Sequence, residues 1–190
     1  MRIVGGSLKH RRLESPPDRA VRPTSDRARE ALFNLLMHGP YDGPEGPCPS
    51  GLDVLDAFAG SGALGLEALS RGATRASFIE NDRAAVRLIR ANAAALGVSR
   101  QAEVWPRDAL APGPAVRAHG LCLLDPPYGS GLAGPALEAL AENGWLAPGA
   151  ICTAEVGKAE SLEPPAGFTA LDERRYGAAH VYILEFARAE

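Results

Sequence analysis

The sequence predicts an α/β fold: a mostly parallel seven-stranded sheet with an antiparallel C-terminal hairpin strand. Three observations carry this. Short apolar runs at 52–58, 75–80, 102–105 and 120–124 each end in a turn signal or an acid. Helical periodicity follows near 62–70, 82–96 and 131–142, ahead of a further strand near 149–155. Such alternation gives a parallel sheet covered on both faces, because each crossover helix must return over the sheet. Finally, 168–175 and 180–187 are β-rich runs separated by Gly177-Ala178-Ala179, a hairpin that closes the sheet with an antiparallel edge strand.

Ahead of this pattern lie two further regions. Residues 1–37 form a basic N-terminal extension, an extended stretch with a turn at Gly5-Gly6 and then a helix. Pro23-Thr24-Ser25-Asp26 supplies cap-type residues, and Ala28, Ala31, Leu32, Leu35 and Leu36 share one helical stripe. That stripe is expected in the core, leaving Arg22, Arg27, Arg29 and Asn34 free. Residues 38–51 hold four Pro and four Gly and read as a linker, so the α/β domain is expected over 52–190.

Size and composition bound the function. At 190 residues and 19.9 kDa, with 46% hydrophobic and 23% charged residues, the chain can bury one full core. No apolar run is long enough to span a membrane, and Met1–Gly6 lacks the apolar run of a secretory signal. Cys48, Cys122 and Cys152 are far apart, without metal-ligand spacing, as suits a reducing cytoplasm. These features argue against a metal site, a disulfide scaffold and a membrane protein. Net charge is −3, yet residues 1–30 hold eight Lys/Arg against four Asp/Glu, and the remainder holds 12 against 19. A basic arm on an acidic body suggests a segment that docks phosphates. Lysine occurs only at Lys9 and Lys158, so the arm is mostly guanidinium, suited to bidentate phosphate contacts.

Asp53–Gly65 is a strand running into a glycine turn that opens a helix, with Gly60, Gly62 and Gly65 in dinucleotide-fingerprint spacing and Glu80 at the end of the next strand. Glycines alone fit a nicotinamide dehydrogenase equally well. Charge separates the two readings. A pyrophosphate over this loop would be repelled by Asp56, and no Lys or Arg lies between Leu52 and Ser70. S-adenosyl-L-methionine carries no phosphate but a sulfonium and an ammonium, which suit an acidic approach. Glu80 can then hold both ribose hydroxyls, and Asp108, after the third strand, can meet the adenine. Asp108 alone could equally be a helix cap. Phe58, Asn81 and Ala109 complete the candidate cofactor set.

The fourth strand ends in Asp125-Pro126-Pro127-Tyr128, the most specific signal in the chain. Two prolines remove two amide donors, so the local carbonyls accept without competition. With the Asp125 carboxylate and the Tyr128 ring they form a slot for a flat base bearing an exocyclic amine. The amine hydrogens point at Asp125 and a proline carbonyl, which aims the nitrogen lone pair at a methyl donor. The ring face of Tyr128, rather than its hydroxyl, is expected to matter.

Asp-Pro-Pro-Tyr resembles the reaction motif of amino-methyltransferases acting on adenine N-6, cytosine N-4, guanine N-2 or a glutamine amide. Met1–Gly6, Arg22–Asn34, Asp56–Gly72 and Asn143-Gly144-Trp145-Leu146 together resemble the RsmD-type 16S ribosomal RNA guanine-N-2 methyltransferases, over essentially the whole chain. The resemblance implies a class I S-adenosylmethionine-dependent methyltransferase fold, S-adenosyl-L-methionine as donor and guanine 966 of 16S rRNA in the assembling 30S subunit as acceptor. Asp125, Pro126, Pro127 and Tyr128 would hold the base, and Arg2, Lys9, Arg11, Arg12, Arg22 and Arg29 the RNA phosphates. A cytoplasmic monomer without metal, membrane or stable protein partner is expected. The rivals fit less: a DNA methyltransferase needs a target-recognition domain for which 190 residues leave no room, a dehydrogenase leaves Asp56 unexplained, and a non-enzymatic RNA-binding module leaves Asp125-Pro126-Pro127-Tyr128 idle. Methylation of another exocyclic amine is the nearest alternative.

Overall fold

The computed structural model describes residues 1–15, 26–177 and 179–187. In chain order the elements are α1 (Asp26–His38), β1 (Asp42–Gly43), β2 (Gly46–Pro47), β3 (Asp53–Ala57), α2 (Ala63–Ser70), β4 (Arg75–Ile79), α3 (Arg83–Leu96), β5 (Ala102–Trp105), β6 (His119–Leu124), α4 (Ala133–Glu142), β7 (Leu146–Gly157), β8 (Phe168–Tyr176) and β9 (Ala179–Phe186). Strands β1 and β2 make a small hairpin, and the other seven form one sheet in the order β5-β4-β3-β6-β7-β9-β8. The pairs β3–β4, β3–β6, β4–β5 and β6–β7 are parallel, while β7–β9 and β8–β9 are antiparallel. The predicted α/β class and its seven strands are therefore present.

One expectation is corrected. The antiparallel strand is not the edge: β9 returns inside, between β7 and β8, and β8 is outermost. Composition explains the order. In β9, Val181, Tyr182, Ile183 and Leu184 are consecutive and buried on both faces, whereas β8 carries Asp172, Glu173, Arg174 and Arg175. The apolar strand takes the interior and the charged one the edge.

Alternating side chains divide the sheet between two cores. Val54, Phe78, Leu121 and Leu123 face α2 and α3, while Leu55, Ile79, Cys122 and Leu124 face α4 and the buried Trp145. Helix α3 has both ends specified: Asp82 accepts from Ala85 N at 2.7 Å, and Gly97 closes the far end at φ 78°.

The front end is built into the first of these cores. Residues 1–13 fold into a hairpin, with Ile3 N donating to Arg11 O (2.9 Å) and Leu13 N to Met1 O (3.0 Å). Ile3 and Leu13 join Leu32, Phe33 and Leu36 of α1 and Leu66 and Leu69 of α2. The buried stripe of α1 is Arg29, Leu32, Phe33 and Leu36, rotated from the expected one. Arg29 is fully buried, and its Nη2 donates to Arg2 O (2.5 Å) and Asp26 Oδ1 (2.8 Å). Its assignment to RNA phosphates is therefore corrected, since a guanidinium spent on internal acceptors cannot meet solvent. Arg22 and the cap residues Pro23-Thr24-Ser25 lie outside the described residues. The stretch 38–51, read as a linker, carries the β1–β2 hairpin and buries Tyr41 and Cys48 in the same core.

Helix α2 anchors the front end through its last two turns. Glu67, fully buried, accepts Val4 N (2.8 Å) on Oε2 and Arg71 Nε (2.7 Å) on Oε1. The Arg71 guanidinium lies over the Phe33 ring at 5.1 Å and donates to Met37 Sδ. Ser70 accepts Ser7 N (2.7 Å) on its carbonyl and Leu8 N (2.9 Å) on its hydroxyl. Glu67→Ala would leave Arg71 buried without its counter-ion, a loss expected to cost about 3–5 kcal/mol. Urea denaturation of the variant should show the midpoint fall at unchanged slope, and a loss below about 1 kcal/mol would mean that the pair behaves as a solvated surface bridge.

Candidate active site

Strand order reverses between β3 and β6, and in parallel sheets that is where the carboxyl ends of the strands leave a crevice. The glycine loop follows β3. It holds left-handed backbone at Phe58 (φ 59°), Gly60 (φ 54°) and Gly62 (φ 78°), a run of turns that brings the amides of the next helix toward the crevice. Gly65 makes a close approach: a Cβ there would stand 2.5 Å from the Phe78 ring.

Asp56 lies beneath this loop, 1% exposed, and its Oδ2 accepts Gly65 N at 2.8 Å. Burial raises its carboxyl well above the ordinary range, the Gly65 amide opposes that shift, and the charges of Asp125 and Glu80 add to it. The expected direct cofactor contact through Asp56 is corrected: the carboxyl caps the open N-terminus of α2 from within the fold. Glu80 faces the loop, with Oε2 accepting Gly60 N and Oε1 accepting Asp82 N, both at 2.8 Å. Asn81 is exposed beside it. Asp108 is exposed with Oδ1 on Leu110 N (2.9 Å), and Ala109 is buried behind it.

The Asp125–Tyr128 loop leaves the end of β6, immediately across the sheet from the glycine loop. Asp125 is half-buried, Pro126 buried, and Pro127 and Tyr128 exposed. The Tyr128 hydroxyl, expected to be idle, donates to Glu155 Oε1. Glu155 lies in the buried stretch of β7, two residues before its end, and its carboxyl is raised to about 7 by burial first and the Asp125 charge second, with the Tyr128 bond opposing. A second carboxylate braces the next residue: Glu160 accepts Gly129 N and Gly157 N, each at 2.7 Å, and these donors hold it below its ordinary range. A Cβ on Gly157 would come 3.4 Å from Tyr128 Cβ and 2.7 Å from Glu160 Oε2, so a side chain there would have to displace the Glu160 carboxylate.

Glu155 and Glu160 were missed in the sequence. Asp56, Glu80 and Asp108 each stand at or just beyond the end of a strand, and Glu155 continues that series at the end of the strand near 149–155, which is the signal the sequence offers. Glu160 carries no such signal, because its donors are the backbone amides of two separate loops.

Of the basic arm, Arg2, Lys9, Arg11 and Arg12 are exposed. Arg2 pairs with Asp26 at 3.3 Å, and Arg11 Nη2 donates to Ala95 O at the end of α3. Asn92, buried on α3, ties the arm to the glycine loop: its Oδ1 accepts Glu14 N (2.8 Å), and its Nδ2 donates to Ser61 O (3.0 Å) and Glu14 O (3.1 Å).

The Glu155 carboxyl makes stability pH-dependent. A carboxyl raised from its ordinary 4.5 to about 7 contributes stability that is full below the ordinary value and lost as pH rises through the folded one. Glu155→Gln should therefore gain melting temperature relative to the natural chain between about pH 5 and 8, and level off above that. A difference that does not change with pH would place the Glu155 titration outside this range.

Comparison with known proteins places this geometry. The family model described as conserved hypothetical protein 95 matches residues 1–185. Ribosomal RNA small subunit methyltransferase D of Haemophilus influenzae is 38% identical over 181 residues, covering 93% of this chain and 89% of that one. Its Escherichia coli namesake is 39% identical over 155 residues, covering 82% of this chain and 74% of that one. The solved structure of Escherichia coli yhhF superposes with a TM-score of 0.84 at 34% identity, covering 100% of this chain and 99% of that one. An RNA methyltransferase from Salinibacter ruber, solved with S-adenosyl-L-homocysteine, has a TM-score of 0.60 at 16% identity, covers 88% of this chain and 95% of that one, and shares the fold alone. The fold is that of class I S-adenosylmethionine-dependent methyltransferases, and the chain belongs to the RsmD-type family of ribosomal RNA small subunit methyltransferases.

Proposed function

We propose that the protein methylates the exocyclic N-2 amine of a guanine in 16S rRNA, guanine 966 by family resemblance, in the assembling small subunit in the cytoplasm, using S-adenosyl-L-methionine. The observation that carries this reading is the adjacency of two loops: the Asp125–Tyr128 loop and the glycine loop leave neighbouring parallel strands at the reversal of the sheet. The names of the relatives support ribosomal RNA as substrate.

The donor set fits the cofactor. A Cβ on Gly60 would meet nothing nearer than Phe58 O at 4.0 Å, so the loop is open on the side a ligand would approach. Glu80 and Asp125 give the crevice a negative field, and no Lys or Arg lies between Leu52 and Ser70. That field suits a sulfonium and an ammonium and disfavours a pyrophosphate. Bound there, S-adenosyl-L-methionine supplies an electrophilic methyl. Glu80 would take the ribose hydroxyls, Gly60 and Gly62 would form the floor, and Asp108 and Ala109 would meet the adenine, with Phe58 and Asn81 alongside.

The base is held by the chain's own groups. Asp125 accepts one amine hydrogen and a proline carbonyl the other, which leaves the nitrogen lone pair pointing out of the slot. The Tyr128 ring carries the base face, and Glu155 fixes that ring through the hydroxyl. Positive charge grows on the amine as it attacks, so the bond to Asp125 strengthens toward the transition state and favours rate over binding. No dedicated base is needed, since the alkylated nitrogen is acidic enough to release its proton to water.

Two outcomes test this. S-adenosyl-L-methionine and S-adenosyl-L-homocysteine should raise the melting temperature at micromolar concentrations, NAD should not, and Glu80→Ala should reduce the shift. Stabilisation by NAD alone would overturn the cofactor. Methyl transfer to small-subunit particles from cells lacking the gene, read as N-2-methylguanosine by mass spectrometry, should fall roughly a hundredfold to a thousandfold in turnover for Asp125→Ala. Asp125→Asn should lose less because its carbonyl still accepts. Tyr128→Ala should lose far more than Tyr128→Phe, which forfeits only the Glu155 anchor. Normal methylation by Asp125→Ala would reduce the loop to a structural turn.

A further inference from the structure

We propose that the solvent face of α3, through Arg83, Arg87 and Arg90, is a docking track for the phosphodiester backbone of the substrate RNA, continuous with the Lys9–Arg11 side of the N-terminal hairpin. The proposal rests on the reading above that RNA is the substrate, and extends it to a surface outside the arm.

Four observations carry it. First, the segment from Arg83 to Ala102 contains no Asp or Glu, although the chain beyond residue 30 is acidic as a whole. Second, Arg83, Arg87 and Arg90 fall at i, i+4 and i+7, one face of the helix, and all three are exposed while Val86, Ile89, Ala93 and Leu96 fill the opposite face. Third, among the described residues none of the three forms an ion pair. Fourth, the structure lays the basic hairpin against this helix: Arg11 donates to Ala95 O, and Glu14 is held by Asn92. Two basic segments far apart in sequence thus lie against one another.

The placement is unfavourable for the folded protein alone. Like charges three and four residues apart repel along a helix, and a cation in the first turn opposes the macrodipole at the end where acids are preferred. Arg83 occupies that first position, and Asp82 at the N-cap, already engaged with Ala85 N, is the acid that offsets it there. A polyanion removes what remains of these penalties. Guanidinium suits phosphate in particular, because its planar fork donates two parallel hydrogen bonds.

The track also leads to the site. Helix α3 begins directly after the carboxyl end of β4, the edge of the sheet that carries Glu80 and the glycine loop. It passes over that loop, with Ile89 against Gly62 and Asn92 bonded to Ser61 O. RNA lying along it is guided from the hairpin to the crevice.

The test uses the full chain and a labelled hairpin fragment of 16S rRNA containing guanine 966, followed by fluorescence anisotropy across a salt series. Arg87→Glu with Arg90→Glu should weaken binding by roughly tenfold or more and lower the salt slope by about 1.5–2, while the melting shift produced by S-adenosyl-L-methionine stays unchanged. Arg174→Glu with Arg175→Glu on β8 makes the same change in net charge elsewhere and should leave binding within about twofold. If the acidic pair lowers the melting temperature of the free protein, Arg87→Gln with Arg90→Gln removes the charge without adding repulsion and gives the same reading. Unchanged affinity and salt slope in the α3 variants, or an equal loss in the β8 control, overturns the track. Methyl transfer by the natural chain is scored separately: weakened binding by the α3 variants alongside no N-2-methylguanosine from the natural chain would keep the track and discard the proposed reaction.

Discussion

The ion pair between Glu67 and Arg71 is the interaction on which the arrangement of this molecule depends. Helix α2 is only eight residues long and buried at every one of them, which leaves it no solvated face on which to place a charge. The pair is tolerable because each member has further partners: Val4 N completes Glu67, and the Phe33 ring and Met37 sulfur cover Arg71. Those partners come from the hairpin and from α1, so the front end provides the environment that makes α2 stable. The same helix begins at the glycine loop. Basic arm and cofactor loop are therefore two ends of one buried element, and Asn92 joins them a second time through Glu14 and Ser61.

Negative charge is handled differently. Asp56, Glu80, Asp125 and Glu155 gather at the carboxyl edge of the sheet, where four full charges would repel one another. Burial moves Asp56 and Glu155 toward neutrality, while Asp125 and Glu80 are only partly buried, Glu80 with the amides of Gly60 and Asp82. The division matches position: the carboxyls that shape loops lie beneath, and those that face the crevice lie above. On the proposed function, an acidic crevice bordered by a basic arm and a basic helix would give separate fields to a cationic cofactor and a polyanionic substrate.

Much of this was legible in the sequence because it is written locally. Seven strands and four helices follow from periodicity and punctuation, and the chemistry proposed for Asp125-Pro126-Pro127-Tyr128 was read from four consecutive residues. What was misread depends on partners far away in the chain. Arg29 looks free on a helical wheel, yet its acceptor is the carbonyl of Arg2, 27 positions upstream. The proline and glycine content of 38–51 marks turns correctly but hides that Tyr41 and Cys48 between them are buried. Asp56 reads as an acid near a ligand loop, and only the fold shows Gly65 N taking its carboxylate from below. The arginines of α3 gain meaning only when the hairpin is laid beside them.

The insertion of β9 between β7 and β8 has its own consequence for the reaction loop. Strand β6 pairs with β7 only as far as Ala154, so the last residues of β7, Glu155 to Gly157, are held by β9 alone. That end, paired with Val181 to Ala179 of β9, carries Glu155 and Gly157, and the following turn carries Glu160. Tyr128 is seated on the first two and its neighbour Gly129 is tied to the third. A loop made of two prolines, a tyrosine and two positive-φ glycines, Gly129 and Gly131, has no ladder of its own to hold it. Its order is borrowed from β7, and β7 takes its order from β9. Placing the charged strand β8 at the edge, where solvent rather than packing meets it, is what leaves β9 free for that role.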